Sequence, residues 1–204
     1  RPVPSRRPVA LTQVDGPLAF SNTFSPIVGS GAEVGLAFAI EGYLSPKYPV
    51  FLLLQEYLEG ALYERLRRAE SLSYSPGVGH TVRPHSGLFQ LSADVKIRDM
   101  PLALSGMWAE LDRLARGEVE PDELEDTKRG LLLSWAQGYE SNADFADYYG
   151  ASLSELATHG RFLNQEEMLE AVTPEQVQAV AAHYLSRERA LVLQETPTVT
   201  YAGL

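Results

Sequence analysis

Leu66-Arg67-Arg68-Ala69-Glu70-Ser71-Leu72-Ser73-Tyr74-Ser75 closes a long amphipathic segment and leads into an extended one. It sets an arginine and a tyrosine seven residues apart, across a helix-to-strand junction. A pair so placed brings a guanidinium beside a phenol, both able to donate to a carbonyl oxygen or to charge developing on one. Upstream, from Pro46 to about Glu70, the residues Phe51, Leu54, Leu58, Leu62 and Leu66 recur every three or four positions, as on a helix with one buried face. Ser45 reads as the N-cap of this helix and Pro46 as its first residue. Downstream, 72–83 and 87–97 read as strands joined at Arg83-Pro84-His85-Ser86-Gly87. In the second, Leu88, Leu91, Ala93, Val95 and Ile97 mostly alternate, with a slip expected near Phe89-Gln90.

Outward from this centre the pattern continues. Leu18, Phe20 and Phe24 mark one strand, and Val34, Leu36, Phe38 and Ile40 alternate as a second. Gly29-Ser30-Gly31 between them is a turn signal; a phosphate-cradling loop would be followed by a helix, and here a strand follows. Beyond the second strand pair the chain turns helical. Residues 99–116 carry Leu104, Trp108, Leu111 and Leu114 on one face, and Gly117 stops the run. Further helices are expected from Glu120-Pro121-Asp122 to about Tyr139, from Asn142 to Thr158, from Asn164, and from Thr173-Pro174-Glu175, where cap, first-turn proline and acidic residue coincide. Ala190 to Gln194 is a last short strand. The order β-β-α-β-β-α-α-α-α-α-β predicts an α+β domain, a five- to six-stranded, mostly antiparallel sheet with helices packed on one face.

Composition narrows the function classes. The chain has 204 residues, 45% of them apolar, and no cysteine, which excludes disulfides, thiolate zinc sites and thiol catalysis. It reads as a soluble globular chain with no run near the ~18 apolar residues of a membrane span. The opening Arg1-Pro2-Val3-Pro4-Ser5-Arg6-Arg7-Pro8 carries no signal-peptide pattern, so a cytoplasmic location is favoured. Residues 1–8 read as a linker from a preceding domain, and 9–204 as a single domain. The net charge is −10, with the acidic excess in the second half. With no sustained basic stripe, neither nucleic acid nor an anionic membrane is an expected partner.

Four passages resemble the pitrilysin/insulinase family of zinc metallopeptidases, specifically its second, non-zinc half. They are Leu62-Tyr63-Glu64-Arg65-Leu66-Arg67 with Leu72-Ser73-Tyr74-Ser75; Gly87-Leu88-Phe89; Gly117 through Lys128; and Ala171-Val172-Thr173-Pro174-Glu175-Gln176-Val177 with Ala181 and Tyr184-Leu185. The family usually has glycine where Ser71 stands, and often basic residues at Ala69 and Glu70. The resemblance implies one half of a clamshell that closes around an unfolded peptide. It also implies that Arg67 and Tyr74 grip the substrate backbone near the scissile bond.

The family's zinc is held by an inverted His-x-x-Glu-His helix and a distant Glu. Of His80, His85, His159 and His183, no two are four apart around a suitably placed Glu. No cofactor is therefore expected in this chain, and zinc is expected in a homologous partner half, upstream in the same polypeptide or on a separate subunit. The chain by itself is not expected to be catalytic.

Rival readings stay open at this level. Arg65, Arg67 and Arg68 also suit the last turn of a helix, complementing its dipole, while Tyr74 suits a strand. Ser71, Ser73 and Ser75 lack a sequence-placed His/Asp partner. Asp122/Glu123 and Glu125/Asp126 imitate a carboxylate dyad but also favour the positive end of a helix. Trp135 and Tyr148-Tyr149 read as core, and Asn142 as an N-cap. The alternative function is a proteolytically inactive relative serving as a structural or interaction subunit.

Overall fold

The computed structural model describes residues 18–24, 31–138 and 165–197, with the isolated positions 146, 150 and 153. The strands are β1 (Leu18–Phe24), β2 (Gly31–Ile40), β3 (Gly77–Val82), β4 (Gly87–Lys96) and β5 (Ala190–Pro197). The helices are α1 (Tyr48–Leu62), α2 (Met100–Ala115), α3 (Pro121–Gly138), α4 (Gln165–Glu170) and α5 (Pro174–Tyr184). A π-helical segment, Tyr63–Ala69, extends α1. Apart from positions 146, 150 and 153, which are helical, the expected helix over 142–158 lies outside the described residues, as do the turn glycine Gly29 and Asn142, Tyr148, Tyr149 and His159.

The sheet runs β1-β5-β2-β4-β3. β5, β2, β4 and β3 pair antiparallel, and β1 joins β5 in parallel as an edge. Five strands among the described residues match the lower end of the expected five to six. One face is built by period-two alternation. Ala32, Val34, Leu36 and Phe38 of β2 stand opposite Val95, Ala93, Leu91 and Phe89 of β4, all buried. There is no slip at Phe89-Gln90: the inward set begins at Phe89, and Leu88 turns to the other face, where it is exposed.

The helices cover this apolar face. Phe51, Leu54, Leu58, Leu62 and Leu66 are fully buried, as their spacing predicts. Phe51 joins three elements, its ring 6.4 Å from Phe89 on β4 and 5.3 Å from Tyr184 on α5. From α2, Trp108 meets Phe38 edge-on at 6.0 Å. The apolar stripe of α2 is Met100, Ala103, Met107, Leu111 and Leu114, with Leu104 only at its margin.

Helix starts differ from expectation at one point. α1 begins at Tyr48 with Pro49 in its first turn, two residues after the expected start. Ser45 spends its hydroxyl elsewhere, donating to Glu41 and accepting from the Lys47 amide at 3.0 Å. α5 starts as predicted, with a capping box between Thr173 and Gln176.

The opposite face of the sheet carries Asp94, Glu33 and Glu195 side by side on β4, β2 and β5. Burial, then Asp94 and Glu195, push the Glu33 carboxyl up. A shallow cavity of about 430 Å³ lies there, over Gly35, Gly77 and Gly79.

Candidate functional site

The site begins where α1 widens. Over Tyr63–Ala69 the helix becomes π-helical, a form that recurs at functional positions. Gly106 on α2 makes room for it: a Cβ there would meet Leu66 Cδ2 at 2.7 Å and Arg65 Cδ at 3.2 Å. The segment can thus press its Leu66 side onto α2.

Its end is equally specific. The Glu70 amide donates to the Arg65 carbonyl at 3.0 Å, and the Leu72 and Ser73 amides both return to the Leu66 carbonyl, at 2.7 and 3.1 Å. Ser71 makes this reversal at φ +52°, the left-handed region that favours glycine. Glycine would adopt this conformation without strain, whereas Ser71 holds it with a Cβ. Strand β3 begins only at Gly77, so Tyr74 stands in the connecting loop, 78% exposed, and is not the strand aromatic of the rival reading.

The three arginines of the segment have separate surroundings. Arg65 turns inward, its Nε donating to Glu110 Oε1 at 2.6 Å, with Glu70 3.7 Å away. Glu110 is 3% exposed, so this arginine neutralises a buried charge. Arg68 pairs with Glu64 on the surface at 2.9 Å. Arg67 has no carboxylate partner among the described residues. Its guanidinium carbon lies 4.2 Å from the centre of the Tyr74 ring and 4.9 Å from that of Tyr63. The seven-residue spacing thus brings the two predicted residues together, in a cation–π contact. Tyr63 was not singled out by sequence reasoning; its signal was the four-residue spacing to Arg67, which places both on one side of the widened helix.

The other candidates are engaged elsewhere. His80 on β3 faces Gln55 and Tyr48 across to α1, and burial lowers its pKa. Ser73 is buried with its hydroxyl unpartnered among the described residues, none of which completes a nucleophilic set around it. The acidic start of α3 makes ion pairs in place of a dyad: Glu123 with Arg113 at 2.6 Å, Glu125 with Lys128 at 2.7 Å and Asp126 with Arg129 at 3.0 Å. Tyr57, beside Glu123, is pushed up to about 12, chiefly by burial. Trp135 packs against the core, as expected. Among the described residues no group of three or more His, Asp or Glu side chains is arranged to hold a metal ion, and no helix is long and apolar enough to cross a membrane.

Comparison with known proteins places the chain in a family. The family described as the peptidase M16 inactive domain matches residues 5–131, more than half of the chain. Among solved structures, a protease from Helicobacter pylori superposes with a TM-score of 0.77 at 17% identity, over 96% of this chain and 48% of that one. A peptidase M16 inactive domain from Pseudomonas fluorescens gives 0.67 at 21% identity, over 92% and 44%. The periplasmic protease PqqL from Escherichia coli gives 0.70 at 17%, over 97% and 22%. The chain thus spans about half or less of the length of these structures. No curated protein matches the sequence.

Proposed function

The chain belongs to the peptidase M16 inactive-domain family, and from that premise we propose that it is the non-zinc half of a zinc metallopeptidase. In this reading it binds an unfolded peptide and completes the active site of a zinc-bearing partner half. The observation that carries the proposal is the Arg67–Tyr74 pair, the guanidinium of the π-helical segment 4.2 Å from the ring of the exposed loop, with an arginine that no described carboxylate neutralises.

The Arg67 guanidinium offers its donors in a fixed fork that matches a carbonyl or oxyanion. Its N–H groups would hold a backbone carbonyl of the substrate. The Tyr74 hydroxyl would donate to the carbonyl that is cleaved and to the negative charge it acquires. In this reading zinc is held by the partner half, where it would supply the activated water. The half-length match to the solved proteases is consistent with such a division.

The test is reconstitution with the zinc-bearing half that accompanies this chain in its native source. Arg67→Ala and Tyr74→Phe are each expected to lower peptide hydrolysis by about 10²-fold, the usual cost of one oxyanion donor. Activity within about threefold of the unsubstituted assembly would remove the pair from the active site. The chain would then be a structural or interaction subunit.

A further inference from the structure

Building on the proposed role of Arg67, we infer that Tyr63 is a positioning residue for its guanidinium. Arg67 has no hydrogen bond or ion pair with a described side chain, so the usual means of fixing an arginine is missing. What it has is two rings, Tyr74 at 4.2 Å and Tyr63 at 4.9 Å. The two are unequal supports. Tyr74 sits 78% exposed in a loop. Tyr63 is half-buried on the π-helical segment, one turn before Arg67, with its backbone held in the hydrogen-bonded ladder. A site is held more exactly by side chains on helices than by side chains on loops.

Tyr63 has no comparable structural duty. It stands outside the hydrophobic core. The charged groups over its ring are Arg67 and, at 5.7 Å, Arg68, and Arg68 is already bound to Glu64. An arginine stacked on aromatic faces keeps its edge N–H groups available. Tyr63 therefore supplies the rigid surface on which Arg67 rests, while Tyr74 completes the pair at the substrate. The ring matters and the hydroxyl does not, since no hydrogen bond from a described residue engages it.

The experiment is a double-mutant cycle on peptide hydrolysis by the assembled peptidase, with NMR of the Arg67 δ-methylene protons in the same protein. Tyr63→Leu is expected to lower kcat/KM by about two- to fivefold, the scale of a cation–π contact at an exposed site. Tyr63→Phe should restore the unsubstituted value. In an Arg67→Ala background, Tyr63→Leu should cost nothing further, because it acts through the missing guanidinium. A full-size effect in that background, or no effect of Tyr63→Leu where Arg67→Ala is severe, would overturn the inference alone. If Arg67→Ala itself has no effect, the proposed function fails instead. The unsubstituted protein supplies a check that needs no variant to fold: the Arg67 δ-protons should resonate upfield of their ordinary position, and an unshifted resonance refutes the stacking.

Discussion

The Leu72 amide donates to the Leu66 carbonyl at 2.7 Å, spanning Ser71 at φ +52°. A residue with a Cβ pays for this turn with about 1–2 kcal/mol of backbone strain, which glycine avoids. Glycine also makes the unfolded chain more flexible, by about 0.4–1 kcal/mol. Ser71→Gly should therefore stabilise the protein by about 0.5–1 kcal/mol. Urea denaturation midpoints check this, and an equal or lower midpoint contradicts the strain argument.

Arg67→Ala and Tyr74→Phe should leave stability within about 0.5 kcal/mol, since neither side chain is buried or ion-paired in the described structure. Any loss of peptidase activity in these variants then belongs to the site. A large drop in the thermal midpoint of either variant would show that the pair is structural.

Arg65 should behave oppositely to Arg67, only two residues away. Removing it leaves Glu110 almost wholly buried, with Arg113 at 3.5 Å as its remaining cation. Breaking a buried pair typically costs about 3–5 kcal/mol; here Arg65 is 35% exposed and Arg113 remains, so about 2–3 kcal/mol is expected for Arg65→Ala. Equilibrium unfolding of the two arginine variants side by side measures the contrast.

Acid should weaken the fold in two windows. Burial depresses the His80 pKa below its ordinary 6.5, so the unfolded chain binds the proton more readily. The stability held by neutral His80 is complete above pH 6.5 and declines as the pH falls below it. Burial alone would raise Glu41, but hydrogen bonds from Lys47, Ser45 and Tyr184 prevail and hold it at about 2, against an ordinary 4.5. Its contribution is complete above pH 4.5 and is lost as the pH falls toward 2. Unfolding midpoints measured from pH 8 to pH 3 should fall in both ranges. In His80→Phe the decline just below pH 6.5 should be reduced, while the one below pH 4.5 should remain.

Much of this architecture was legible because it rests on periodicity. The stripe from Phe51 to Leu66 and the alternation of β2 report burial directly, and Thr173-Pro174-Glu175-Gln176 marks a helix start by local hydrogen bonding. What escaped depends on side-chain partners that periodicity does not report. The late start of α1 follows from Ser45 being engaged by Glu41. The apparent slip in β4 came from counting Leu88 as an inward residue. The seven-residue spacing was enough to pair Arg67 with Tyr74, but the second ring, Tyr63, went unread although its four-residue spacing to Arg67 already marked it as a neighbour. Lys128, part of the family-like passage after Gly117, is buried and donates to the Val172 carbonyl between α4 and α5 at 3.0 Å, a contact no local pattern announces.

A π-helical turn holds one more residue than the α-helical turn it replaces. The segment Tyr63–Ala69 is in effect a stored insertion, absorbed without disturbing the upstream stripe or the strand that follows. The count of residues between Arg67 and Tyr74 is therefore set by backbone hydrogen bonding as much as by chemistry. Excising a single residue here would let the turn tighten to α-helix while leaving Phe51 to Leu62 in register. Arg67 would stay beside Tyr63, since residues three or four apart are neighbours on an α-helix, but its angle to Tyr74, which lies beyond the turn, would change, so the fold would tolerate a deletion that alters the pair.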